Sequence, residues 1–163
     1  MALIKWFLLG TSWLFLSNDM YGKVSLKANC DLPGQNLKSF NVAKPKDCRE
    51  ACTNNQKCNG FSFISGWNKC FLKVTSRAAV EIRFFSGELG SNREVASSGW
   101  DIDYSGKDLK KIPYVTDGKA CSIACIKDPK CKAFGYISGY RDCWLKKTIG
   151  KSRHKVFWCG QRT

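Results

Sequence analysis

The sequence predicts an α+β protein made of two small disulfide-stapled modules, each pairing one helix with a short antiparallel hairpin. Three observations carry this expectation. Cys48, Cys52, Cys58 and Cys70 are separated by three, five and eleven residues, and Cys121, Cys125, Cys131 and Cys143 repeat those gaps 73 residues later. Between 48–73 and 121–146, 12 of 26 aligned positions are identical without a gap, so the chain is a duplication. In each copy, helix-start signals precede the first cysteine pair, and aromatic runs around a Ser-Gly pair follow it.

Residues 1–22 read as a secretory signal. Lys5 supplies the positive charge and Trp6–Leu16 the apolar run, which Gly10, Thr11 and Ser12 interrupt. The run is too short to span a bilayer. Ser17, Gly22 and Ser25 are candidate cleavage points, and a short pro-segment is an open alternative. The remaining chain divides into modules over 27–91 and 92–163, with a polar linker at 87–98. Each module has about 70 residues, a size at which one hydrophobic core gives only a few kcal/mol of net stability. Ten cysteines in an exported chain supply the missing restraint, since thiols oxidise outside the cytosol. Zinc is disfavoured, because the spacings are not two-residue knuckles and His154 is the only histidine. No cofactor or metal is expected.

Each module follows one plan. A polar stretch ends in Gly-x-x-Leu, at Gly34–Leu37 and Gly106–Leu109. A helix is expected near 45–54 and again near 117–127, started by Pro45 and by Asp117-Gly118. Cysteines four apart then share one helical face. A hairpin follows, with strands around 58–63 and 67–73 in the first copy and 131–136 and 140–146 in the second. Val80–Phe85 and Lys155–Trp158 are expected to close their own copies. Two helix and two hairpin cysteines suggest nested bridges, Cys48–Cys70 with Cys52–Cys58 and Cys121–Cys143 with Cys125–Cys131, although spacing alone does not fix connectivity. In the loop-entropy model the longer bridge of each pair contributes roughly 3 kcal/mol and the shorter roughly 2 kcal/mol. Cys30 and Cys159 have no counterparts, Trp100 and Ser86 standing where partners for them would sit. The simplest accounting joins Cys30 to Cys159; a cross-link between two chains is the alternative.

The helical Cys-x3-Cys, the run Cys131–Tyr136, the run Cys143–Lys146 and the upstream Tyr104–Leu109 together resemble the PAN/apple domain. The resemblance covers nearly all of 27–163, in two copies. It implies a five-stranded antiparallel sheet crossed by one helix, with the nested bridges above. Many apple domains also bridge their N- and C-terminal strands. Neither copy here holds both of those cysteines, which favours a Cys30–Cys159 crossing. Apple domains bind proteins or carbohydrates and are not catalytic. A chain made of two of them is similar to the small dimeric microneme lectins of coccidian parasites, which recognise galactose and N-acetylgalactosamine. The resemblance thus implies a secreted galactose-binding homodimer, stored in a microneme and used for attachment to host-cell surfaces.

Strand alternation sharpens where a sugar would sit. Cys143 must face the helix, and Leu145 follows it, so Tyr140, Asp142, Trp144 and Lys146 fall on the opposite face. Aromatic rings suit the apolar C–H patch of a pyranose, and charged groups suit its hydroxyls. Tyr104 is a candidate rim residue or a packing anchor. The first copy offers Trp67, Lys69, Phe71 and Lys73 at matching positions and has Lys69 in place of the acid, so only the second binds sugar if Asp142 is the key acceptor, and binding by the first is left open. Phe61 and Phe134 are read as core. The alternative to a ligand face is an aromatic strand face that merely packs modules or chains together.

The net charge of +14 favours acidic partners. Lys146, Lys147, Lys151, Arg153 and Lys155, with His154, form a basic run that would suit heparin or another sulfated glycan. Protein adhesion without a sugar is the third reading. No nucleic-acid partner and no membrane span is expected. No enzyme is expected either: the lone histidine lies in a basic run and no acid pair has a recognisable setting.

Overall fold

A computed structural model of the protein describes residues 22–163, so the expected export signal lies outside the described residues except for Gly22. In chain order the first repeat supplies β1 (Lys27–Ala28), β2 (Cys30–Asp31), β3 (Asn36–Asn41), α1 (Pro45–Thr53), β4 (Gly60–Ile64), β5 (Lys69–Lys73), β6 (Val80–Glu81) and β7 (Phe84–Leu89). The second supplies β8 (Val95–Trp100), β9 (Ile102–Tyr104), β10 (Asp108–Ile112), α2 (Gly118–Lys127), β11 (Ala133–Ile137), β12 (Asp142–Lys146), β13 (Ser152–His154) and β14 (Phe157–Gln161).

Both helices start as their sequences direct. Pro45 occupies the first turn of α1, and the Asp47 carboxylate accepts from the Lys44 N–H at 3.1 Å. Asp117 caps α2 by accepting from Ala120 N–H at 2.7 Å. Each hairpin turns through one 3-10 turn, Ser65–Trp67 or Ser138–Tyr140. The residue that follows, Asn68 or Arg141, is left-handed with φ of 50° or 55°. Tyr140 is therefore a turn residue, not the first residue of the return strand. The turn keeps an even offset: Ile137 opposes Asp142 and Phe134 opposes Leu145. Phe134, Tyr136, Cys143 and Leu145 thus face α2 with Cys121 and Cys125, all buried, and Phe61 is equally buried in the first unit. Burying each large side chain of this kind stabilises the fold by about 1.5–3 kcal/mol.

The sheets depart from the expectation in one respect. Their strand orders are β1-β14-β4-β5-β3 and β8-β7-β11-β12-β10. Each sheet takes four strands from one repeat and one from the other. The closing strand of the first repeat, β7, pairs with β11 of the second, and β14 pairs with β4 of the first. The expectation that Val80–Phe85 and Lys155–Trp158 close their own copies is corrected. The physical reason is local. β6 pairs with β2 and runs on into β7 through Ile82 and Arg83, while β13 pairs with β9 and runs on into β14 through Lys155 and Val156. Neither connection contains the Gly, Asn or Pro that would reverse the chain. Each strand is therefore carried forward into the neighbouring sheet.

The two units face each other across a pseudo-two-fold axis. The equivalent rings of Phe84 and Phe157 stack with centroids 5.1 Å apart and planes 3° from parallel. Matching hydrogen bonds flank them: Ser65 N–H donates to Val156 O and Ser138 N–H to Arg83 O, both at 3.0 Å. In return Val156 N–H donates to Ser65 Oγ and Arg83 N–H to Ser138 Oγ, both at 2.8 Å. Arginines beyond the exchanged strands close the helix C-termini, where carbonyls lack intrahelical partners. Arg162 donates to the carbonyls of Cys52 (2.7 Å) and Asn55 (3.1 Å), and Arg93 to those of Ile126 (2.6 Å) and Asp128 (2.7 Å).

All ten cysteines are bridged: Cys48–Cys70, Cys52–Cys58, Cys121–Cys143, Cys125–Cys131 and Cys30–Cys159. Strand exchange explains the odd pair. Because β14 lies beside β1 and β4, Cys159 sits in the first unit, where Cys30 already is. The bridge spans the repeats in sequence and closes one unit in space. In the second unit the residue equivalent to Cys159 is Ser86, as anticipated, but the position of Cys30 is taken by Ile102 and not by Trp100. Ser86 Oγ is buried without a hydrogen-bond partner among the described residues.

Candidate functional site

On the second sheet, the face opposite α2 carries Phe84, Gly135, Ile137, Trp144 and Lys146, and these form the floor of a cleft of about 350 Å³. Asp103, Ser105, Gly106 and Asp108 make one wall, and Arg153 and Lys155 another. Trp67 completes it, reaching over from the hairpin tip of the first repeat. The cleft exists because the units are locked together; neither repeat supplies all of its walls. Trp67 is 51% exposed, which leaves its ring available at the rim.

Charges in the cleft are arranged as pairs. Lys146 Nζ donates to Asp108 Oδ1 at 2.9 Å, and Lys155 Nζ donates to Asp103 Oδ2 at 3.0 Å. Lys155 is almost wholly buried, with its ammonium 3.8 Å from the centroid of Trp67 and 3.9 Å from that of Phe84. Such a cation over two ring faces gains from both quadrupoles. Burial nonetheless pushes its pKa down to about 8, and the attraction of Asp103 only partly offsets this. Arg153 is exposed. Its backbone is registered against Asp103, and Nη1 donates to Gly66 O at 3.2 Å.

The structure brings together two of the five sequence-predicted site residues. Trp144 and Lys146 reach the cleft, Lys146 as a buried, acid-paired group and not as a free surface ammonium. Asp142 shares their strand face but is held by Lys111 Nζ at 2.7 Å and lies off the cleft lining. Tyr140 points across to the first unit, where its hydroxyl donates to Asp31. Burial and that carboxylate raise its pKa. Tyr104 is buried, and its hydroxyl donates to Ser97 Oγ at 3.1 Å, so it is a packing anchor. The basic run also resolves into two kinds of residue. Lys146 and Lys155 turn inward onto acids, while Lys147, Lys151, Arg153 and His154 remain exposed.

Sequence reasoning passed over Phe84, Asp103 and Asp108, placed Trp67 in the first copy's own strand face, and read Lys155 only as part of the basic run. Asp108 lay within the Gly-x-x-Leu stretch of the second copy and could have been flagged as the acid that the first copy lacks, Asn36 standing there instead. That Trp67 lines the cleft of the second unit could not have been read from the sequence, because it reaches there from the other repeat. In the pseudo-symmetric position of the first unit, Phe71 and Lys73 replace Trp144 and Lys146, and Lys73 Nζ donates to Asn36 Oδ1 at 2.6 Å. Val80 and Ile82 stand where Arg153 and Lys155 stand in the second. The polar cleft chemistry is specific to the second unit.

Among the described residues, no cluster of three His, Cys, Asp or Glu could hold a metal, and no helix is long and apolar enough to cross a membrane. Five disulfides fit an oxidising compartment. Comparison with known proteins gives two matches to models of the PAN domain, at residues 24–94 and 102–146. The first match extends through β7, which in space belongs to the second sheet. The chain is also similar to an Arabidopsis thaliana G-type lectin S-receptor-like serine/threonine-protein kinase, B120, at 31% identity over 72 residues. That alignment covers 39% of this chain and 8% of the kinase's length. PAN domains are binding modules for carbohydrates or proteins, and this chain belongs to the PAN-domain family, with two such domains in tandem.

Proposed function

We propose that the chain is a secreted, non-catalytic lectin that holds one galactose-type sugar, galactose or N-acetylgalactosamine, in the cleft of the second unit. The observation that carries this reading is the pairing of the Trp144 and Trp67 indoles with the Asp108–Lys146 couple in one open cleft. An indole face packs against pyranose C–H groups, and a carboxylate beside an ammonium can accept from one hydroxyl and donate to its neighbour. Asp108 keeps a half-exposed side chain, so it takes the acceptor role here in place of Asp142. Attachment to host-cell glycans, storage in a microneme and homodimer formation belong to the same proposal. With one such cleft per chain, pairing of two chains is the route to avidity, and light scattering reads that mass directly.

The test is a glycan array run at 50 and 500 mM salt with the wild type and Trp144→Ala. Trp144→Ala should lower galactoside binding by about tenfold or more while the far-UV spectrum is retained. Unchanged binding by that folded variant sinks the reading. Binding restricted to heparin-like chains and abolished by salt would favour the exposed Lys147–Arg153 run as a polyanion surface.

A further inference from the structure

The charge count of the cleft carries a second step, which rests on the carbohydrate reading above. Three cations and two carboxylates line it. Lys146 and Lys155 are each neutralised by an aspartate within 3.0 Å. Arg153 is left over: among the described residues no carboxylate pairs with it, and only the Gly66 carbonyl holds its guanidinium. We infer that the preferred ligand is a galactose-type sugar carrying one acidic substituent, a sulfate or a carboxylate, and that Arg153 reads that group.

Three features support the assignment. Arg153 is aimed by structure and not by chance exposure: β13 pairing fixes its backbone opposite Asp103, and the Gly66 bond ties its head to the hairpin tip that presents Trp67. A planar guanidinium with further N–H groups free to donate suits the two oxygens of a carboxylate or sulfate. The pseudo-symmetric position is Val80, so the cation is not a by-product of the repeated plan. The arrangement also differs from a polyanion track. Lys146 and Lys155, which a linear reading of the sequence places in such a track, are spent on internal acids. One excess charge in a cleft fits one anionic group, whereas a sulfated polymer would draw on the exposed Lys147 and Lys151 as well.

Isothermal titration of the full protein with methyl galactoside, galactose 6-sulfate, galactose 3-sulfate and galacturonate tests this, with heparin as competitor. The wild type should favour at least one acidic sugar over methyl galactoside by about five- to tenfold at 150 mM salt. Arg153→Gln should bring that ratio close to unity, Arg153→Lys should retain part of it, and Lys151→Gln should leave it unchanged. A wild type with no preference overturns the inference, as does a preference that survives Arg153→Gln or vanishes equally in Lys151→Gln. Sulfate and carboxylate are told apart by which sugar binds. If no monosaccharide binds, neutral or acidic, the carbohydrate reading of the cleft itself fails and this inference falls with it.

Discussion

Removing the Cys30–Cys159 bridge should cost more than removing any other. The two residues are 129 apart in sequence, but Cys48–Cys70 and Cys121–Cys143 each shortcut 22 residues of the denatured chain. The effective loop is then roughly 85 residues, for which the chain-entropy model gives about 4–5 kcal/mol at 25 °C. The Cys52–Cys58 bridge spans only 6 residues, and the same model gives it about 2 kcal/mol. Both pairs are buried, so the packing loss on truncation to alanine is similar. Urea unfolding of the oxidised protein should therefore show Cys30→Ala/Cys159→Ala losing at least about 2 kcal/mol more than Cys52→Ala/Cys58→Ala. Equal losses would refute the reasoning. They would mean that the exchanged strands already hold the two repeats together in the denatured reference state, leaving the bridge little entropy to remove.

Two further outcomes follow from contacts at the axis. Gly139 sits in the second hairpin tip, where an added Cβ would lie 2.4 Å from the Glu81 carbonyl; at the equivalent Gly66 it would lie 3.0 Å from the His154 carbonyl. Gly139→Ala should lower stability by about 1–3 kcal/mol and Gly66→Ala by less, an order that thermal denaturation checks. Lys155 in the folded protein releases its proton near pH 8, against 10.5 for the free side chain. Between those values the unfolded state holds more protons, so this lysine's contribution to stability rises with pH. Relative to Lys155→Met/Asp103→Asn, the wild type should gain on the order of 2–3 kcal/mol between pH 7 and 10. A difference that stays flat with pH counts against a buried ammonium.

What the sequence could and could not disclose divides along local and non-local lines. Helix starts at Pro45 and Asp117, the hairpins around Ser65-Gly66 and Ser138-Gly139, and the inward set Phe134, Cys143 and Leu145 were legible, because each depends on neighbours within a few residues. The nested bridges were suggested by the repeated spacing and implied by the resemblance to the PAN/apple domain, not fixed by local neighbours. Strand exchange was not. The lack of a turn residue at Ile82-Arg83 lets the strand run on, but nothing in Val80–Phe85 names the sheet that receives it, since its pairing partner is chosen by the whole assembly. The same gap hid which residues meet in the cleft. Alternation put Trp144 and Lys146 on the sheet face that lines the cleft, but Asp142 on that strand and Tyr140 in the turn before it are captured by Lys111 and Asp31, which no periodicity reveals. Asp103 and Lys155, 52 residues apart in sequence, are brought together by the pairing of β9 with β13.

The exchange has a mechanical corollary at the ends of the described chain. Val24 bridges to Arg162, and Thr163 N–H donates to the Lys23 carbonyl at 3.1 Å, so start and finish meet at one edge of the first unit. The backbone is in effect a ring fastened by hydrogen bonds and, a few residues further in, by sulfur. A tether attached at either end of the described chain would pull on the same seam, and the cleft of the second unit would be carried from that one point.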